Sequence, residues 1–293
     1  MTSRDLEKEY DPTQWSQRIK DPKELLASHI EYGNTVSDAN RYALNCLLNT
    51  PYGESFRQKL DIYGVHLPFE APIVVYVHGG FWQRSNKHTA AYAVKPFVEN
   101  QAKVIVIDFD LCPDVSLTEV IKQFKKAVER VFTYAGEHNP KSISFIGHDS
   151  GAHLITYLLS EEMISSIGTD KFKLLKNIYL ISGIYDVSDL RHTELHNHGN
   201  LLSITDENVD ELSPIKASYA HLGKYDITFD AYVGGDESPT FQKQSREFVA
   251  HLKMEKLQAN FHKIDGLDHY DIVEKLSEIN YDVTQTIISN LNN

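Results

Sequence analysis

The chain has 293 residues, 41% of them hydrophobic and 24% charged, which suits one large α/β domain or two small ones. Its 41 acidic and 29 basic residues give a net charge of -12, which argues against broad nucleic-acid binding and against electrostatic anchoring to a membrane. No apolar run approaches the roughly 20 residues of a membrane span, and the opening MTSRDLEKEY holds no apolar signal core.

Residues 1–55 are polar, and Pro12, Trp15 and Pro22 are expected to break them into short helical or irregular pieces, an N-terminal extension. A regular alternation then begins. KLDIYGV (Lys59–Val65) reads as a half-buried strand, and IVVYV (Ile73–Val77) and VIVID (Val104–Asp108) as strands buried on both faces. ISFI (Ile143–Ile146), NIYLIS (Asn177–Ser182), ITFDAYV (Ile227–Val233) and NFHKI (Asn260–Ile264) continue the series. Amphipathic stretches lie between and after them, at Thr118–Gly136, Ser150–Ser160, Phe241–Lys256 and Asp271–Leu291. The spacing predicts an α/β fold of one domain, with a mainly parallel sheet and helices on both faces. The polar stretch 186–222 is expected to form a small cap. Cys46 and Cys112 read as two buried free thiols in a cytoplasmic protein.

In such sheets, ligands bind beyond the carboxyl ends of the strands, so the loops after the strands carry the candidates. HGGFW (His78–Trp82) places adjacent glycines where backbone amides can face a carbonyl oxygen that gains charge, although an ordinary tight turn has the same look. FIGHDSGAHL (Phe145–Leu154) has Gly147 and Gly151 two places either side of Asp149, the spacing of a nucleophile elbow. Ser150 fails that test, because its own offsets are His148 and Ala152. VGGDESP (Val233–Pro239) carries the adjacent carboxylates Asp236 and Glu237, and GLDHYD (Gly266–Asp271) presents His269. The order tip residue, acid, histidine is that of α/β hydrolases.

Taken together these segments resemble the kynurenine formamidases, or arylformamidases, of the α/β-hydrolase fold. YDPTQWSQR is similar to that family's N-terminal Trp-Ser-x-Arg segment, HGGFW to its oxyanion loop, and GHDSGAHL to its elbow. SGIYDVSDL, NLLSITDENVDELSP, DESPTFQKQS and DHYDIVEKL continue the similarity in order. The resemblance implies hydrolysis of N-formyl-L-kynurenine to L-kynurenine and formate, in tryptophan catabolism, with no metal or organic cofactor. It implies His269 as catalytic histidine and Glu237 as its acid, with Asp236 as runner-up. Gly79, Gly80 and the Ser150 amide would form the oxyanion hole, and Phe81 and Trp82 would meet an aryl substrate. Trp82 also suits a buried wedge behind the loop. The expected partner is a small aryl formamide, with a homodimer as the assembly.

The chain departs from the family at two places, at the acid, which would be Glu237 rather than aspartate, and at the tip, where the family has serine and this chain has Asp149. A carboxylate has no proton to yield, and its charge favours the imidazolium form of a nearby histidine. The open alternatives are an altered hydrolase with Asp149 as base toward water, and a relative that binds without turnover. A third is an epoxide or haloalkane hydrolase with Asp149 as nucleophile. The formamidase-like segments weigh against that third reading. RHTELHNH (Arg191–His198) spaces His192 and His196 as a helical metal pair would be, but a polar loop explains it as well.

Overall fold

The apolar runs assemble into one eight-stranded sheet in a computed structural model that describes residues 3–291. In chain order the strands are β1 (Cys46–Pro51), β2 (Lys59–Tyr63), β3 (Ile73–Val77), β4 (Lys103–Ile107), β5 (Ile143–His148), β6 (Leu175–Ile181), β7 (Thr228–Gly234) and β8 (Gln258–Ile264). Their spatial order is β1-β2-β4-β3-β5-β6-β7-β8. The β1/β2 and β2/β4 pairs are antiparallel, and every later pair is parallel. The chain has the α/β-hydrolase fold.

Alternation along the central strands feeds two cores. Ile73, Val75 and Val77 of β3 face one core with Ile105, Ile107 and helix Leu117–His138, while Val74 and Tyr76 face the other with Val104 and Val106. Burial on both faces explains why β3 and β4 read as unbroken β-branched runs.

The N-terminal residues are integral rather than an extension. Pro22 starts a 22-residue helix, Pro22–Ala43, in which the Asp21 carboxylate accepts the amides of Lys23 and Glu24. Proline at the first helical position lacks only a donor that would be unpaired anyway, so it begins the helix where a breaker was expected. Strand β1 also escaped the sequence pattern, because it is a half-exposed edge strand ending in Pro51. Cys46, which begins β1, is only partly buried, whereas Cys112 is buried.

The expected helix 271–291 is two pieces, Asp271–Glu274 and Asp282–Leu291, with a short turn of helix at Lys275–Ser277 between them. The break lets Ile272, Val273 and Leu276 enter the same core as Val283, Ile287 and Leu291. Between β6 and β7 the chain runs through short helical turns, among them Leu190–His192, Glu194–Asn197 and Pro214–Lys216.

Candidate active site

Strand β5 runs straight into helix Ser150–Tyr157, and Asp149 is the single residue at the turn, with φ 49° and ψ -118°. That is strained backbone for a side-chain-bearing residue, and it lifts the carboxylate off the end of the sheet. The turn is closed by small neighbours. A Cβ on Gly151 would lie 2.1 Å from the Val77 carbonyl oxygen, and one on Gly147 would lie 2.6 Å from Ile155 Cδ1. The Asp149 amide donates to the Ile181 carbonyl at 2.9 Å, tying the tip to β6.

The glycine loop after β3 wraps onto that carboxylate. The N–H groups of Gly80 and Phe81 donate to Asp149 Oδ2 at 2.7 and 2.8 Å. Gly80, Phe81 and Trp82 all have positive φ, so the loop bends sharply to aim its amides. Asp149 is 1% exposed, and its second oxygen, Oδ1, is buried without a hydrogen-bond partner among the described residues. Behind the loop, Arg57 bridges the Ser85 carbonyl and Asp108, whose carboxylate lies 3.5 Å from His78 Nε2.

His269 follows β8 and is 2% exposed. Its Nδ1–H donates to Glu237 Oε2 at 2.7 Å, which leaves Nε2 as the ring nitrogen for chemistry. Glu237 Oε1 accepts the Ser182 hydroxyl at 2.5 Å and the Gly234 amide at 2.7 Å, so both carboxylate oxygens are held. His148 Nε2–H donates to the His269 carbonyl at 2.9 Å. Burial alone would favour a neutral His269. Glu237, by charge and hydrogen bond, outweighs it, and Asp149 and Asp268 add to the upward shift. Burial, and the nearby His269, hold His148 well below the usual histidine range, so it acts as a neutral donor.

The histidine loop is clamped from the N-terminus. The Ser16 hydroxyl and Arg18 Nε–H donate to Asp268 Oδ2 at 2.6 and 2.9 Å, and Arg18 also reaches Glu274. Asp268 Oδ1 in turn accepts the amides of Tyr270 and Asp271. Burial opposes the Asp268 charge, but Arg18, Ser16 and the Asp271 amide overcome it and pull the carboxyl down to about 2.

The family model described as BD-FAE matches residues 60–212, more than half of the chain, including the glycine loop and the elbow. The chain belongs to the BD-FAE family. Beyond that span, it is similar to kynurenine formamidases along nearly its whole length. The Drosophila melanogaster enzyme is 28% identical, with 96% of this chain and 95% of that protein covered. The Danio rerio enzyme is 27% identical, with 98% and 96% covered. A candidate thioesterase from Silicibacter sp. tm1040 superposes with a TM-score of 0.79 at 22% identity, covering 98% of this chain and 99% of that one, and so shares the fold.

Within this BD-FAE chain, Asp149, Glu237 and His269 come together, and Glu237, not its neighbour Asp236, reaches the histidine. The amides on Asp149 are those of Gly80 and Phe81, one residue further along than the expected Gly79–Gly80 pair. Gly79 instead packs its Cα face against Asp149 and His148, where a Cβ would come within 2.8 Å of either. Ser150 is fully buried at the helix start, and its hydroxyl has no hydrogen-bond partner among the described residues.

Trp82 is 0% exposed and meets His153 edge-on at 4.7 Å, a placement that suits a wedge behind the loop. Phe81 stacks on His196 with ring centroids 3.6 Å apart. His192 and His196, whose spacing a polar loop explained as well as a metal pair, each take other partners. His196 turns inward and donates to the Tyr10 carbonyl, His192 meets Arg191, and His198 pairs outward with Glu194. Sequence reasoning gave no role to Ser182, His148 or the Ser16–Arg18 clamp. Only the YDPTQWSQR similarity pointed toward the clamp.

Proposed function

We propose that the chain is a hydrolase of the kynurenine formamidase type, cleaving N-formyl-L-kynurenine, in tryptophan catabolism, to L-kynurenine and formate. The observation that carries this reading is the buried His269–Glu237 pair, set beside the elbow tip in a chain that follows kynurenine formamidases nearly end to end. In this reading Asp149 Oδ1 draws a proton from water as it attacks the formyl carbon. The His269 imidazolium, favoured by three nearby carboxylates, gives its proton to the departing amine nitrogen. General-base help of this kind is worth about 10²–10⁴-fold.

The 186–222 segment serves as the cap, supported by the His196–Phe81 stack. The same proposal has the chain cytoplasmic and homodimeric, to be checked by cell fractionation and sedimentation velocity. Among the described residues, no helix is long and apolar enough to cross a membrane.

A second reading, binding without turnover, is favoured by one observation. Asp149 Oδ2 already occupies the amide pair that would otherwise hold a substrate oxygen. Formate release from N-formyl-L-kynurenine, measured on the natural chain, Asp149→Asn and His269→Ala, separates the two. Turnover lost in both variants supports the hydrolase. Calorimetric binding with no formate from the natural chain overturns it in favour of the second reading.

A further inference from the structure

A cavity of about 410 Å³ lies between the far end of helix Ser150–Tyr157 and the segment 211–221 that leads into β7. Thr156 on its wall is about 10 Å along the helix from Asp149. Asp149, Glu237 and His269 do not line it. The volume is that of a small-molecule site. Its wall is largely apolar and aromatic, with Leu159, Pro214, Tyr157 and Tyr219.

The polar groups of this wall are unevenly spent. The Tyr157 hydroxyl donates to the Glu211 carbonyl at 3.0 Å, and that of Tyr219 to the Pro214 carbonyl at 3.1 Å. The Thr156 hydroxyl donates to the His153 carbonyl at 2.6 Å, and that of Ser218 to Glu255 at 2.7 Å. His221 Nε2–H donates to the Leu159 carbonyl at 2.7 Å, which in the neutral ring leaves Nδ1 as an acceptor. That nitrogen lies 3.9 Å from Glu161 Oε1, a gap that one donor atom can serve from both sides. Glu211 brings a second carboxylate, and both glutamates are exposed at the rim. Apart from the Ser160 hydroxyl, the side chains therefore offer a ligand acceptors and negative charge. Among the described residues, no lysine or arginine lines the cavity.

We propose that this cavity is a binding site for a small arylalkyl ammonium. The ammonium supplies the donors that the wall lacks, its N–H groups shared between His221 Nδ1 and Glu161 Oε1. The aryl body fills the space between Leu159, Pro214 and the two tyrosines, whose rings attract a cation further through their negative faces. An anionic ligand would meet Glu161 and Glu211 with like charge, and a hydrocarbon would leave the acceptors unmet. Because both glutamates are exposed, water and salt screen their attraction, so the apolar body carries much of the affinity. The site is independent of the reaction at Asp149, and no bond is made or broken there.

The test is calorimetric titration of the full chain with 2-phenylethylammonium, for which saturable binding is expected. The alcohol 2-phenylethanol has the same body without the charge and should bind about tenfold more weakly, as the loss of hydrogen bonds to charged groups implies. Glu161→Gln and Glu211→Gln should each weaken the ammonium about threefold, the scale of an exposed ion pair. Ala217→Trp sets a ring into the cavity from its exposed rim and should abolish binding, with circular dichroism as the check on folding. Asp149→Asn should bind as the natural chain does. Independently of any variant, backbone ¹H–¹⁵N shifts should move most at Leu159, Ser160 and His221. Absence of saturable binding at millimolar ammonium overturns the proposal, as does equal binding of the alcohol. Shifts centred on Gly80 and His269, or binding kept in Ala217→Trp and lost in Asp149→Asn, also overturn it, because the ammonium would then sit at the elbow.

Discussion

Asp149 takes the amide hydrogen of Gly80 at 2.7 Å on the same oxygen, Oδ2, that takes the hydrogen of Phe81. The side chain at the elbow therefore occupies the donor pair that a substrate oxygen would use. Around it stand the strained tip and the hydrogen-bonded Glu237–His269 pair. The site's chemistry depends on what that one carboxylate does with its remaining oxygen.

Replacing Asp149 with serine should free both amides and supply a hydroxyl with a proton to yield. Restoring one oxyanion donor is worth about 10²–10³ in kcat. Asp149→Ser is accordingly expected to release formate from N-formyl-L-kynurenine at least about 100-fold faster than the natural chain. A folded variant that binds the substrate yet shows no increase would mean that the amide pair does not limit amide hydrolysis here.

The His269 ring offers a direct electrostatic readout. Its folded-state pKa is raised, so its contribution to stability is full below the unfolded value and lost as pH rises through the folded one. Among the groups that raise it, Glu237 comes first and Asp149 is weaker. Titration of the ring protons by NMR, assigned with His269→Gln, should show a midpoint above that of an exposed histidine. Asp149→Asn should lower it, and Glu237→Gln should lower it further. An unchanged midpoint in both variants would mean the carboxylates do not control the ring.

Strands were legible because β3 to β7 are buried on both faces, which demands unbroken β-branched and aromatic runs. The elbow was legible from Gly147 and Gly151, since no larger residue fits at those offsets. Edge strand β1 and helix Pro22–Ala43 were not, because half-exposed elements carry weaker apolar patterns. Nor could the sequence separate Gly79 from Phe81 as the second amide donor. That choice depends on positive φ at Gly80, Phe81 and Trp82, which residue identity alone does not reveal. The clamp joining Ser16 and Arg18 to Asp268 spans about 250 positions of chain, a distance over which local pattern carries no signal.

That clamp should matter to the histidine loop. Removing a hydrogen bond to a charged group costs about 1.5–3 kcal/mol, so Ser16→Ala and Arg18→Ala should each lower stability by roughly that amount in urea unfolding. Asp271 supplies a pH signature. Burial, reinforced by the Asp268 charge, pushes its carboxyl up to about 7. Its neutral form is thus favoured in the fold, and the stability it contributes is lost as pH rises through about 7. Arg18 counters that upward shift, so Arg18→Ala should move the loss to higher pH. A variant with unchanged stability and pH profile would show that the clamp bears no load.

The tightest steric point of the elbow gives the last prediction. A Cβ at Gly151 would lie 2.1 Å from the Val77 carbonyl oxygen and 2.6 Å from that of His78, both backbone atoms that cannot rotate away. The helix start would have to lift from the end of β3, drawing Asp149 away from the loop that holds it. Overpacking of this kind costs about 1–3 kcal/mol and occasionally more, so Gly151→Ala should unfold at markedly lower urea and lose whatever turnover the natural chain has. Gly223→Ala is the control, because among the described residues nothing lies within 4 Å of its added carbon. That change should stay within about 0.5 kcal/mol of the natural chain. Equal behaviour of the two variants would mean that close packing of helix on strand does not set the elbow.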